Sequence, residues 1–213
     1  MIYRISKELS FPDPILADED GLLAFGGDLS TERLLLAYSL GIFPWYSEEN
    51  PILWFSPHKR FVLFPGKLKI TKSMQQVIRN SGYKITFNHA FAEVIKACAE
   101  SLRKGQPGTW ITDEMQEAYI LLHKKGFAHS VEVWLKGELV GGLYGVETGN
   151  VFSGESMFSR KNNASKLALV WLCQHTPYSL IDCQVYSEHL EKMGAEIISR
   201  EEYLAILNER IKE

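Results

Sequence analysis

The chain has 213 residues, of which 46% are apolar and 23% charged, and a formal net charge of −3. That length suits one domain with a sizeable core, or an ordinary domain plus a small one, and the composition excludes a disordered or fibrous chain. No run approaches the roughly 18 apolar residues a membrane span needs, and Met1-Ile2-Tyr3-Arg4 does not open a signal peptide.

Cys98, Cys173 and Cys183 are far apart and odd in number. They read as buried thiols of a cytoplasmic protein, with neither a disulfide framework nor zinc spacing. The charge is uneven along the chain. Residues 1–56 hold nine acids and three bases, whereas residues 57–105 hold ten bases and two acids. A basic middle in an acidic chain suits a polyanion such as RNA; lysine-rich solvated helix faces would give the same count.

Residues 1–60 are rich in turns: Phe11-Pro12-Asp13-Pro14, Gly26-Gly27-Asp28 and Phe43-Pro44-Trp45. One helix interrupts them, capped by Ser30, running over 31–40 and stopped at Gly41. Residues 68–70 are a short strand candidate. Thr71 caps a helix over 72–80, residues 83–87 alternate like a strand, and residues 90–102 put Phe91, Val94, Ile95 and Cys98 on one helical face. A further helix spans 113–125 and ends at Gly126. Strand-like stretches follow at 130–135, 139–147 and 150–158, joined by the Gly137 and Gly149 turns of antiparallel hairpins. Asn162 or Asn163 caps a helix reaching about His175. Then come a buried strand at 180–185, a short helix over 187–193, a strand at 195–199 and a last helix over 201–211. The pattern is α+β, with a small N-terminal domain over residues 1–61 and a larger domain over 62–213. Its order resembles the GNAT acyltransferase superfamily, with a central, mostly antiparallel sheet.

The chemistry-bearing candidates cluster late in the chain. In Asp182-Cys183-Gln184, residues two apart on a strand share a face, so Asp182 and Gln184 lie together and Cys183 points into the core. An acid and an amide bracketed by Leu180, Ile181 and Val185 are costly to bury unless paired, so they form either a satisfied structural pair or a working one. Gly154 within a strand marks a bulge or a close approach of ligand to backbone. Glu155 beside it reads as a site for an amine or cation, or as an ordinary exposed carboxylate. The six histidines show no ligand spacing, and no metal is expected. No phosphate-binding Walker sequence and no dinucleotide GxGxxG is present. Residues 159–166 are polar and basic but lack the glycines with which GNAT enzymes hold coenzyme A, so no cofactor is expected. Trp45, Trp54 and Trp110 sit at turns, where they either staple the fold or line a pocket.

Several segments together resemble one family, the leucyl/phenylalanyl-tRNA–protein transferases: Gly21 to Leu29, Gly41 to Tyr46, Leu53 to Pro57, Gly108 to Thr112, His129 to Trp134, Gly141 to Val146, Gly154 to Arg160, Asn163 to Lys166 and Leu180 to Val185. They run in the family's order over nearly the whole chain. The resemblance implies an enzyme that moves Leu or Phe from aminoacyl-tRNA to acceptor proteins beginning with Arg or Lys, marking them for degradation; an apolar donor pocket would accept Met as well, and a monomer is expected. It implies Asp182 and Gln184 as the catalytic pair and Glu155 as a carboxylate that binds the acceptor. Trp45 and Trp110 would lie near the aminoacyl-adenosine end, and Phe152, Gly154, Ser156, Met157 and Leu172 near the donor's apolar side chain. Leu172 stands where other members carry Phe, and Ser187 where they carry Asn. The basic stretch, chiefly Lys69, Lys72, Arg79 and Lys84, would hold the tRNA backbone. Two other classes compete: a coenzyme-A acetyltransferase and a non-catalytic RNA-binding adaptor.

Overall fold

The computed structural model describes residues 2–80, 82–101 and 110–211. Its first 55 residues build a four-stranded sheet from β1 (Tyr3–Ile5), β2 (Leu22–Gly26), β3 (Phe43–Pro44) and β4 (Leu53–Phe55), in the order β1-β2-β4-β3. Strands of two to five residues are too short to show alternation, which is why only turns are legible there. Helix α1 (Thr31–Ser39) forms where expected and ends at Gly41, whose φ of 70° needs no side chain. The Ser30 hydroxyl makes no cap bond; instead the Ser30 N–H donates to Asp28.

A seven-stranded sheet follows. Its strands are β5 (Lys59–Leu63), β6 (Lys84–Phe87), β7 (Ala128–Leu135), β8 (Glu138–Thr148), β9 (Val151–Ser159), β10 (Leu180–Gln184) and β11 (Glu196–Ser199), in the order β11-β5-β10-β9-β8-β7-β6. Every neighbouring pair is antiparallel except β9 and β10. The expected α+β class with a mostly antiparallel central sheet is borne out, including the β7-β8-β9 meander.

Helices cover both faces. Helices α2 (Lys72–Asn80) and α5 (Ala164–His175) contribute Met74, Leu167, Leu169 and Leu172 to one core, with Val131, Val140 and Phe152 of the sheet. On the other face, α3 (Phe91–Glu100) and α4 (Asp113–Lys124) share a core with α1 and the small sheet, running from Ile5 and Trp54 to Val146 and Phe158. The small lobe therefore has no separate interior. Helix α7 (Arg200–Ile211) seals the β5 side with Tyr203 and Leu207 against Val62 and Leu180.

Three sequence expectations change. Residues 68–70 are not a strand: a tight 3-10 turn (Pro65–Lys67) precedes them, and Lys69 N–H donates to Met193 O outside any ladder. Leu68 and Ile70 are apolar because they pack on the core, not because they pair. Conversely, β5 begins inside the stretch expected to be turn-rich, which ends at about residue 60. It is an inner strand on which Arg60, Phe61, Val62 and Leu63 are all buried, so it carries no two-residue period. The helix expected over 187–193 is a single turn, α6 (Glu188–Glu191). Residues 102–104, with Arg103 and Lys104 of the basic run, and Gly108-Thr109 lie outside the described residues.

Candidate functional site

The site begins where two strands part. β9 and β10 pair over only three residues, Val151–Leu180, Phe152–Ile181 and Ser153–Asp182. Past that point both strands bulge. In β9, Gly154 faces Gly145 and Ser156 faces Tyr144, leaving Glu155 as the extra residue. The bulge switches faces: Phe152 and Met157, five residues apart, pack into the same core. Gly145 is required opposite it, because a Cβ there would lie 2.2 Å from Ser153 O. In β10 the irregularity falls between Asp182 and Gln184, and Gln184 adopts a φ of 62°, rare for a residue with a side chain. Asp182 and Gln184 do come together, but through this kink rather than the simple alternation expected of a strand.

The parted strands enclose a cavity of about 680 Å³. Phe152, Leu169, Leu172 and Ile181 give it an apolar wall; Phe43, Pro44, Trp45 and Trp110 close it from the small-lobe side. All ten residues expected as catalytic or substrate-binding line it: Asp182, Gln184, Trp45, Trp110, Phe152, Gly154, Glu155, Ser156, Met157 and Leu172. Gly154 is not demanded by protein packing, since a Cβ would sit an ordinary 3.6 Å from Asp182 O; its bareness leaves room in the cavity. Lys69, Lys72, Arg79 and Lys84 are exposed and lie outside the cavity lining. Arg60, counted in the basic run, is 1% exposed and unavailable to a phosphate.

Two buried carboxylates occupy the cavity's polar side in different states. Asp182 is saturated: Arg60 Nε donates to Oδ1 at 2.9 Å, Arg60 Nη2 to Oδ2, Tyr203 OH to Oδ2 at 3.1 Å, and the Gln184 N–H to Oδ1 at 2.8 Å. Burial works against the Arg60 charge, but the adjacent Asp182 and Tyr203 outweigh it and hold its pKa above the usual value. Glu155 has no cationic partner among the described residues. Its Oε1 accepts from Gln184 Nε2 at 2.7 Å and its Oε2 from Tyr119 OH at 3.3 Å, while Tyr119 OH is bonded in turn to Tyr38 OH. Burial pushes Glu155 up to about 7; the hydroxyl of the adjacent Tyr38, the Gln184 amide and the Tyr119 hydroxyl oppose the rise, and the Asp182 charge adds to it. Glu155 is therefore poised between acid and base near neutral pH, and the reading of it as an ordinary exposed carboxylate is excluded.

Cys183 is half-buried: it packs against the core on the α5 side, as expected, and it also lines the cavity. Burial, then the Asp182 charge, raises its thiol pKa, which makes it a neutral wall group rather than a nucleophile. At the rim, His189 is held below the usual histidine range by burial and by Lys166 and Lys192. The sequence reading missed Arg60, Tyr203, Tyr38 and Tyr119. Their pairings span 122, 21 and 81 positions for Arg60–Asp182, Tyr203–Asp182 and Tyr38–Tyr119, and no local spacing reveals them. The described residues hold no cluster of three or more metal-ligating side chains, and no helix among them is long and apolar enough to cross a membrane.

Comparisons with known proteins converge. Residues 62–208 match the family described as leucyl/phenylalanyl-tRNA protein transferase, and residues 27–58 match that family's N-terminal domain. A leucyl/phenylalanyl-tRNA–protein transferase of Syntrophobacter fumaroxidans is 56% identical over 215 residues, covering 100% of this chain and 92% of that protein. One from Flavobacterium johnsoniae is 52% identical over 212 residues, covering 98% of this chain and all of that protein. Among solved structures, FemX aligns with a TM-score of 0.50 at 12% identity, over 79% of this chain and 66% of that one.

Proposed function

This chain belongs to the leucyl/phenylalanyl-tRNA protein transferase family, and from that premise we propose that it moves leucine or phenylalanine, and also methionine, from aminoacyl-tRNA to proteins whose N-terminus is Arg or Lys. The observation that carries this reading is one cavity with an apolar wall and a buried, unneutralised carboxylate on its polar side. The donor side chain rests on Phe152, Met157 and Leu172, in the space left by Gly154 and Ser156. A hydrophobic pocket separates side chains by only about 1–3 kcal/mol per methylene, so Leu, Phe and Met are accepted together. Trp45 and Trp110 flank the terminal adenosine. Residues 1–61 act as the lobe that walls the donor, residues 62–213 as the domain that carries the chemistry, and the protein works as a cytoplasmic monomer.

An aminoacyl ester is already activated, so the enzyme has to align a neutral amine with the carbonyl and stabilise the oxyanion. The acceptor's α-amine, with a pKa near 7.7–8.0, is partly neutral at pH 7. Its nitrogen bonds to the ester carbon, the ribose oxygen leaves, and the proton lost by nitrogen is returned to that oxygen. Gln184 contacts the reacting groups through its amide, Glu155 meets the acceptor's cationic end, and Asp182 acts by positioning Gln184. Lys69, Lys72, Arg79 and Lys84 hold tRNA phosphates, so binding weakens steeply with salt. The test is transfer of labelled leucine from Leu-tRNA to an Arg-initiated peptide, with a Gly-initiated peptide as control. Transfer to the first alone supports the reading. Binding of tRNA regardless of charging, with no transfer, favours an RNA-binding adaptor.

A further inference from the structure

The saturation of Asp182 has a source. Arg60 emerges on β5, where its guanidinium carbon lies 4.8 Å from the Phe43 ring centre and 4.4 Å from that of Tyr203. From between these rings it sends two bonds to Asp182 and a third, of 3.2 Å, to Gly41 O. One side chain thus touches the cavity strand, the small-lobe segment that leads into Phe43 and Trp45, and the last helix.

We propose that Arg60 is a positioning residue for the transfer reaction: it fixes the Asp182 carboxylate so that Asp182 holds the Gln184 N–H, bends the end of β10, and turns the Gln184 amide onto Glu155 at the cavity. The geometry requires each link. Gln184 keeps a φ of 62° against the ordinary preference of a residue with a side chain, and the bond restraining it is the 2.8 Å contact from its own N–H to Asp182 Oδ1. That oxygen is also the one held by Arg60 Nε, at 2.9 Å. A planar guanidinium gripping a carboxylate with two parallel bonds fixes its orientation as well as its charge, which an ammonium cannot do. The Phe43 and Tyr203 rings in turn fix the plane of the guanidinium. Because the same guanidinium holds Gly41 O, the position of the Gln184 amide is tied to the segment that walls the donor.

The proposal rests on the transferase reading above, and the experiment separates the two. Wild type, Arg60→Lys, Tyr203→Phe and Arg33→Met are compared in three measurements: stoichiometry and affinity of a non-reactive 3′-aminoacyl-adenosine analogue, single-turnover transfer from saturating Leu-tRNA to an Arg-initiated peptide, and thermal stability. Arg33 is the control, equally buried at 1% exposure but bonded to the carbonyls of Ser6 and Glu8, away from the cavity. Misplacing a reacting group by about 1 Å costs roughly 100-fold. Arg60→Lys is therefore expected to bind one analogue per chain with affinity within about threefold of wild type, and to transfer about 100-fold more slowly. Tyr203→Phe, which removes one of the bonds to Asp182, slows transfer about tenfold. Arg33→Met lowers thermal stability but leaves the transfer rate per bound donor unchanged. Wild-type transfer by Arg60→Lys, or equal loss of analogue binding and transfer, overturns the proposal. If Arg60→Lys does not fold, Tyr203→Phe decides: an unchanged transfer rate overturns it. Absence of transfer by the wild type instead removes the functional reading on which the proposal stands.

Discussion

The large sheet buries one glutamate near its β6 edge and another at its centre, and the two are equipped differently. At the β6–β7 end, Glu132 is 0% exposed and accepts from Thr86 Oγ1, Ser130 Oγ, His89 N and Ala90 N, the last of these at the start of α3. Its lone pairs are well used, and it is not among the residues lining the β9–β10 cavity. At the β9–β10 divergence, Glu155 is nearly as buried and is held by the Gln184 amide and the coupled Tyr119 and Tyr38 phenols, beside an open cavity. Burial of a carboxylate is therefore not in itself a mark of chemistry. What distinguishes Glu155 is the adjoining space that a ligand can enter, whereas Glu132 accepts two backbone N–H groups and ties a strand to a helix start.

Substitutions can break or sharpen this contrast. The largest effect is expected beside Glu155: Gln184→Ala should lower single-turnover transfer on the order of 10²–10³-fold while donor affinity changes little, read by rapid-quench kinetics against analogue titration. Parallel loss of both would make Gln184 a packing residue.

A stability measurement comes next. Glu155 has its folded-state pKa raised from 4.5 to about 7, so its contribution is intact below pH 4.5 and is lost as pH rises through 7. Wild type should shed ~3 kcal/mol over that window, and Glu155→Gln should flatten the curve in urea titrations across pH. An unchanged slope would mean Glu155 is already satisfied like Glu132. Near the β6 edge, Glu132→Ala strands several buried donors and should cost about 2 kcal/mol of stability, with unchanged transfer per folded molecule. Reduced transfer per folded molecule would contradict the division of roles. Smallest of all, Gly154→Ala should leave the melting temperature within experimental error and weaken donor binding about tenfold, since the added methyl enters ligand space.

The same contrast explains what could be read from the sequence. Helices α3 and α4 announce themselves through period, because each keeps an exposed face, and the β7-β8-β9 meander through its length and its Gly137 and Gly149 turns, although β8 is as buried as β5. β5 does not, since a strand buried on both faces has no alternation to show, and the short strands of the small lobe fall below the length at which a pattern forms. The Asp182–Gln184 pair was legible as a polar insertion in an apolar strand. The bulges that aim it were signalled only by Gly154. The Arg60 clamp was hidden, because a guanidinium bound for a carboxylate 122 residues away is indistinguishable in sequence from one bound for a phosphate.

The account turns on the cavity between β9 and β10 being the place where the donor sits. Crystals soaked with a 3′-leucyl-adenosine analogue bearing an amide link test it directly. The expected result is the leucyl side chain against Phe152, Met157 and Leu172, the adenine beside Trp45 and Trp110, and the carbonyl within hydrogen-bond reach of the Gln184 amide. Analogue bound anywhere else, or in the cavity with its carbonyl turned away from Gln184, would contradict it.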